Sequence, residues 1–165
     1  GSVSRTFPIP GVADEAFGMK SIEEAIAVRD RIIDNFAKAA NLPKGKERDR
    51  LLTVTVIGGG FAGIETFAEL RSLATAMLKQ YPELTIDDTK FHMVEAMSRV
   101  MPEVSLRTSL WVLRNLASRG AAVHLDTQLK SAKDGLVELS NGMKFESDLI
   151  VWLSLIHISE PTRPY

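Results

Sequence analysis

The chain has 165 residues, of which 45% are hydrophobic and 25% charged, with a formal net charge of −1 at pH 7. This length can bury one core, and the near-neutral charge provides no field that would attract nucleic acid or anionic lipid, so we expect no nucleic-acid partner. The absence of cysteine excludes disulfides, thiolate metal sites and a thiol nucleophile, and without a membrane-spanning run or signal peptide we expect a soluble, cytoplasmic chain.

The first 50 residues predict a linker followed by one helix. Residues 1–20 lack periodicity and contain several prolines and glycines, which favours an extended segment or loop. Ser21 and Glu24 form a capping box that begins an amphipathic helix, and Pro43 follows its predicted end. Residues 44–50 mix both signs of charge and are predicted to form a solvated connector.

Residues 51–65 (LLTVTVIGGGFAGIE) combine an apolar β-branched run, a glycine-rich turn and the start of an amphipathic segment. Gly58 permits the turn, Gly60 lets the backbone approach a phosphate, and Gly63 lets the helix pack close to the strand. The helix N-terminus presents free N–H groups and the positive end of its dipole to an anion. The alternative is an ordinary glycine-rich turn between a strand and a helix. We predict a nucleotide site formed by Gly58, Gly59, Gly60, Phe61, Ala62 and Gly63.

The segment after this turn predicts a long helix and a second strand. Apolar residues keep helical spacing until Pro82 stops the helix. These residues are Ile64, Phe67, Leu70, Ala74, Met77 and Tyr81. A polar loop follows, in which Asp87 and Asp88 are predicted to form a solvated turn rather than a metal site. Residues 91–94 form a short strand that ends at Glu95.

Pro102 is predicted to lie in the first turn of a further helix that ends at Gly120. Its predicted inward face consists of Leu106, Leu110, Leu113, Leu116 and Ala117. Residues 122–125 predict another strand. A small antiparallel meander is then predicted from segments 129–132, 136–139 and 143–145, with the turn signal Asn141-Gly142, before a buried strand at 148–152.

Strands that alternate with helices pair in parallel through right-handed crossovers. We therefore predict an α/β fold over residues 51–152. It should be a Rossmann-like three-layer domain with a parallel sheet and a small antiparallel β-meander.

Glu95 is the second predicted arm of the nucleotide site, because it follows the strand next to the glycine turn. A carboxylate there can accept both ribose hydroxyls of the adenosine and would repel a 2′-phosphate, which favours NADH over NADPH. Its separation from Gly58 is longer than usual, and the long helix and polar loop account for the excess. Arg99 could still neutralise a phosphate, and a solvated strand-end carboxylate remains the alternative.

Glu65 has two open interpretations. A carboxylate in the first helical turn is favoured by the helix dipole, and the same group could shape hydride transfer beside a nicotinamide. His92 and His124 lie in predicted strands without a spaced carboxylate or histidine partner, so we expect neither to bind a metal, and we predict no metal site.

The motifs at 58–65 (GGGFAGIE), 92–96 (HMVEA) and 148–152 (DLIVW) resemble those of type II NADH dehydrogenases. These are FAD-containing NADH:quinone oxidoreductases of the pyridine nucleotide-disulfide oxidoreductase superfamily. Residues 1–4 resemble the end of a flavin-domain strand, and residues 19–25 resemble the helix that leads into the NADH domain. The resemblance covers residues 1–152.

The resemblance implies NADH bound at the glycine turn and Glu95, with Glu65 as a catalytic residue near the nicotinamide and the quinone. It implies FAD held mainly by another domain, so we expect the isolated chain to be inactive. The parent protein would lie peripherally on the inner face of the cell membrane through C-terminal helices absent here, and a homodimer of the parent is left open. The alternatives are the NAD domain of a ferredoxin, nitrite or disulfide reductase, and a non-catalytic NADH-binding module.

Residues 153–165 depart from the family, which continues with Thr-Ala-Gly after the last strand. Residues 153–163 resemble one reading frame of a transposase adapter used in shotgun sequencing libraries. We therefore expect 153–165 to be adapter read-through without a function, the alternative being a natural divergent tail.

Overall fold

The computed structural model describes residues 9–153. The predicted flavin-domain remnant at residues 1–4 and most of the predicted read-through segment, residues 154–165, lie outside the described residues. Leu153 is described: its backbone N–H donates to the Ile57 carbonyl oxygen at 2.7 Å, and its side chain packs on the core. The packed chain therefore includes the first residue of the segment expected to be read-through.

A five-stranded sheet forms the centre of the fold, and each neighbouring pair of its strands is parallel. Across the sheet the order is β1 (Ala16–Phe17), β8 (Leu149–Trp152), β2 (Thr53–Ile57), β3 (Lys90–Val94) and β4 (Ala121–His124). All five residues of β2 are buried, as expected for a central strand covered on both faces.

The helices and a second sheet provide the other layers. The helices are α1 (Val12–Glu15), α2 (Ile22–Ala40), α3 (Lys46–Leu51), α4 (Phe61–Leu78) and α5 (Leu106–Ser118), with short 3-10 helices at Ile86–Asp88 and Lys133–Gly135. The second sheet is antiparallel and contains β5 (Leu129–Ser131), β6 (Leu136–Leu139) and β7 (Lys144–Glu146). The predicted meander is confirmed.

Successive residues of the central strands enter two different cores, because side chains alternate across a strand. Leu149 and Val151 of β8 pack in the main core with residues from α2, α4 and α5, whereas Ile150 packs in a second core with residues from the antiparallel sheet. Helices α2, α4 and α5 thus cover one face of the parallel sheet, and the meander together with α1 covers the other. This confirms the predicted three-layer α/β fold.

The predicted capping box is present at the start of α2. The Ser21 hydroxyl accepts the Glu24 backbone N–H at 3.1 Å, and the Glu24 carboxylate accepts the Ser21 backbone N–H at 3.1 Å. No helix within residues 9–153 is long and apolar enough to cross a bilayer.

The prediction of an extended segment or loop before α2 is wrong for Val12–Glu15, which form α1, whereas Ala16–Phe17 are extended and form β1. Val12 is fully buried in the second core, and β1 adds a parallel edge strand to β8. A two-residue strand carries no periodicity of its own, so its pairing is visible only once β8 is in place.

The predicted solvated connector at 44–50 is also wrong, because it contains α3 and a buried cation. Arg48 Nη2 lies 2.9 Å from Asp88 Oδ2, and the two side chains are 7% and 19% exposed. Asp88 therefore belongs to a partly buried ion pair with Arg48 rather than to a fully solvated turn. Hydrogen bonding from the Thr85 backbone N–H, together with the Arg48 guanidinium, holds the pKa of Asp88 below its usual value.

The first residue of α5 and part of the helix face that packs on the core differ from the prediction. Ser105 is its N-cap and accepts the Thr108 backbone N–H, so the helix begins after Pro102. Leu116 is buried, whereas Leu106 and Leu110 are exposed. The side of α5 that packs on the main core includes Val112, Leu113 and Leu116, so the prediction is confirmed for Leu113 and Leu116 and wrong for Leu106, Leu110 and Ala117, which are exposed.

Candidate functional site

The predicted glycine turn connects β2 to α4 with the expected geometry. Gly58 has φ +117°, a value that L side chains rarely adopt. A Cβ on Gly63 would overlap the Gly58 carbonyl oxygen, so only glycine fits where the helix crosses the end of the strand. Gly60 is the N-cap of α4, and no side chain caps that helix end. The N–H groups of its first turn are therefore open to an external anion.

Glu95 lies directly beside this turn, as the sequence predicted for the second arm of the site. Its side chain is 7% exposed, Oε1 accepts the Gly59 backbone N–H at 2.7 Å, and Oε2 accepts the Met97 backbone N–H at 2.7 Å. The Glu95 backbone N–H in turn donates to His124 O at the end of β4. A carboxylate has about four lone-pair positions, so Glu95 can still accept hydroxyl groups of a ligand.

The segment after Glu95 folds back over the glycine turn, which sequence reasoning did not predict. Met101 has φ +48°, and its backbone N–H donates to Gly59 O at 2.6 Å. Glu103 Oε2 lies 2.9 Å from the position that a Cβ on Gly60 would occupy. Only the identity of the loop residues was visible in the sequence, because a loop without periodicity gives no signal for its path.

The three exposed residues of the predicted site lie on α4. Phe61 and Ala62 form its first turn, and Glu65 is exposed one turn later. The predicted place of Glu65 in the first turn is wrong, because α4 begins at Phe61 and has no acidic residue in that turn. The helix dipole acts mainly within the first turn, so it does not account for Glu65.

Arg99, the candidate for a 2′-phosphate, is engaged with its own loop. Its guanidinium is half-buried and donates from Nη2 to Pro102 O at 3.1 Å. In this structure the one basic residue considered for the ribose site therefore supports the loop backbone.

His92 and His124 are neighbours, contrary to the expectation that they lack histidine partners. His92 Nδ1 and His124 Nε2 are 3.1 Å apart, and the Phe145 ring stacks on His92 with ring centroids 3.8 Å apart. Burial, together with the nearby charges of His124 and Lys90, lowers the pKa of His92 to about 4. Burial also lowers the pKa of His124. The pair joins the parallel sheet to the meander through the contact with Phe145.

Lowering the pH should therefore lower the free energy of unfolding, because protonation of His92 favours the unfolded chain. Its pKa is lower in the folded chain than the ordinary 6.5, so the unfolded chain binds the proton first and stability falls as pH drops from 6.5 towards 4. For His92 alone we expect a loss of roughly 2 kcal/mol in the free energy of unfolding between pH 7 and pH 5. Urea unfolding at both pH values measures it, and His92→Phe should flatten the dependence. An unchanged pH dependence in that variant would contradict the assignment to His92.

The chain matches the family described as pyridine nucleotide-disulphide oxidoreductase over residues 1–154. It is 27% identical to the type II NADH:quinone oxidoreductase of Haemophilus influenzae and 31% identical to the mitochondrial external alternative NADH-ubiquinone oxidoreductase of Yarrowia lipolytica. These alignments cover 100% and 83% of this chain but 40% and 24% of those relatives. The solved structure of NDH2 from Plasmodium falciparum in complex with NADH shares the fold, with a TM-score of 0.83 at 21% identity, over 91% of this chain and 32% of that chain.

Proposed function

Since the chain belongs to the pyridine nucleotide-disulphide oxidoreductase family, we propose that it is the NADH-binding domain of a type II NADH dehydrogenase. The parent would transfer a hydride from NADH to a flavin and pass the electrons to a quinone. The chain spans less than half the length of the two relatives described above, so this activity is proposed for a longer protein.

The contact between Glu95 and the glycine turn carries the proposal. A β2–turn–α4 unit with an enforced glycine at position 63 offers N–H groups to a pyrophosphate. The carboxylate that follows the neighbouring strand lies 2.7 Å from Gly59 N, close enough for one dinucleotide to reach both groups. Together they match the pyrophosphate and the adjoining ribose of an adenosine diphosphate moiety.

Different residues of the chain would bind the different parts of NADH. Gly58, Gly59, Gly60 and Gly63 would shape the backbone around the pyrophosphate, with Phe61 and Ala62 supplying N–H groups of the first turn. Glu95 would accept the ribose hydroxyls of the adenosine. Glu65, exposed one turn further along α4, would contact the nicotinamide end of the ligand.

The flavin fits this chain only in part. A dinucleotide cradle needs a glycine-rich turn between a strand and a helix, and residues 9–153 contain one such turn, at Gly58–Gly60, which the proposal assigns to NADH. FAD would therefore be held mainly by another part of the parent protein. When bound, it would supply the redox chemistry. Peripheral attachment of the parent to the inner face of the cell membrane and its homodimerisation belong to the same proposal.

Binding of NADH in preference to NADPH tests the proposal. The Glu95 carboxylate would face the 2′-phosphate of NADPH and repel it. We therefore expect the dissociation constant for NADPH to exceed that for NADH by roughly tenfold or more. Fluorescence energy transfer from the tryptophans to the reduced nicotinamide measures both constants. Gly60→Val is the matched non-binding variant, because its side chain would fill the space beside the turn.

Glu95→Gln should narrow the preference to about threefold, since it removes the charge that repels the 2′-phosphate. The amide also replaces one of the two acceptors that hold Gly59 N and Met97 N, so both affinities should fall and their ratio is the informative readout. Equal affinities in the unmodified chain would contradict the proposal. An unchanged ratio in the variant would show that Glu95 does not meet the ribose.

A further inference from the structure

Glu103 is an acidic residue that lies beside the glycine turn. It has no role in the NADH binding proposed above. Its side chain is exposed, and its Oε2 lies 2.9 Å from the position of a Cβ on Gly60. Within residues 9–153 it has no hydrogen bond and no ion pair. Its position therefore comes from the backbone that carries it.

That backbone is held on both sides of Glu103. Before it, Met101 N donates to Gly59 O at 2.6 Å, and the fully buried Val100 has its carbonyl oxygen bound by the Ser109 hydroxyl at 2.6 Å. The Pro102 carbonyl oxygen accepts the Arg99 guanidinium. After it, α5 begins at Leu106. These contacts fix the loop over the turn and hold the backbone of Glu103 at a place from which its carboxylate reaches the N-cap of α4.

An anionic side chain at this place acts against an anionic ligand. Gly60 is the position at which a dinucleotide brings its pyrophosphate closest to the backbone. The positive end of the α4 dipole attracts the phosphates and the Glu103 carboxylate alike. Arg99, the nearest cation along the loop, is bound to Pro102 O. The phosphates must therefore either displace the carboxylate or bind beside a like charge.

We infer that Glu103 sets the affinity of the dinucleotide site by opposing the pyrophosphate at the N-terminus of α4. This inference rests on the proposed function, namely that NADH binds there. Glu103 is a residue that weakens binding, in contrast to Glu95, which binds the ribose. A site weakened in this way releases its nucleotide more readily.

The test is the dissociation constant for NADH of the full 165-residue chain and of Glu103→Gln, measured at low and high salt. The neutral amide should tighten binding about three- to tenfold at low ionic strength, because one unit charge near the phosphates is removed. The gain should shrink to less than about twofold near 0.5 M salt, where exposed charges are screened. Glu83→Gln is the matched control, because it removes the same charge in the loop beyond the opposite end of α4.

Adenosine as a competing probe separates electrostatics from a structural effect. It lacks phosphates, so its dissociation constant should be the same in the unmodified chain and in Glu103→Gln. A change for adenosine equal to that for NADH would mean that the variant alters the whole site, and it would overturn the inference. Thermal melts confirm that both chains are folded.

The remaining outcomes are distinct. If both chains bind NADH with the same affinity, Glu103 has no influence on the phosphates and the inference is wrong. If Glu103→Gln binds more weakly, Glu103 is an acceptor for the nucleotide, which also overturns it. If neither chain binds NADH, the proposed function is wrong, and the inference, which rests on it, is wrong as well.

Discussion

Gly63→Ala should destabilise the fold by at least about 3 kcal/mol, because its methyl group would overlap a backbone atom. The obstructing atom is the Gly58 carbonyl oxygen, which cannot rotate away as a side chain can. The turn is also tied to the next strand, since Gly58 N donates to Val94 O at 2.8 Å. Relief would require α4 to move off β2 and open the main core. Urea unfolding followed by circular dichroism measures the loss.

Gly120→Ala is the control for this prediction. Gly120 has φ +85°, and a Cβ there meets nothing within 4 Å, so the substitution tests backbone strain without a steric clash. We expect it to cost about 1 kcal/mol. Equal losses at Gly120 and Gly63 would mean that α4 does not cross β2 as closely as described.

Arg48→Met should cost about 2–3 kcal/mol, because it removes the buried cation of a partly buried ion pair and leaves the Asp88 carboxylate without its partner. Arg48 Nη2 also donates to Glu83 O at 3.2 Å, and that carbonyl oxygen would lose its donor as well. Asp88 retains the Thr85 backbone N–H at 2.8 Å, which limits the loss but does not replace the cation. The free energy of unfolding in urea at pH 7 is the measurement.

Lys38→Met is the matched control, because Lys38 and Asp34 form an ion pair of the same 2.9 Å length with side chains 63% and 58% exposed. Exposed pairs are screened by water, so we expect a change within about 0.5 kcal/mol. A similar small change for Arg48→Met would show that Arg48 is solvated, as the sequence predicted. The double variant Arg48→Met with Asp88→Asn should recover part of the loss, since no charge is then left unpaired and the amide oxygen can still accept the Thr85 backbone N–H.

The predictable parts of the fold are those whose conformation depends on residues close together along the chain. The capping box at Ser21 and Glu24, the apolar strand that ends in Gly58 and the Asn141-Gly142 turn each involve residues close along the chain. Their conformations follow from local sterics and hydrogen bonding, so a pattern of residue types suffices to place them. The alternation of strands and helices then predicted the parallel sheet and its three layers.

The glycine turn and Glu95 of the candidate site were also predictable from the sequence. Gly58, Gly60 and Gly63 are recognisable because each glycine meets a constraint within the turn itself. Glu95 is recognisable because a residue that follows a parallel strand lies at the edge where the turn lies. The path of residues 96–105 was not predictable, since it depends on the contact between Met101 and Gly59.

The sequence by itself therefore determined the class of fold, the glycine turn and the acidic partner at the next strand. Only the tertiary structure decided that Arg48 is buried against Asp88, 40 residues away, that His92 meets His124, 32 residues away, and that Glu103 lies over Gly60. The physical reason is that burial and charge pairing depend on which segments meet in space. A residue's type says what it can bind, whereas the packing of distant segments decides what it does bind.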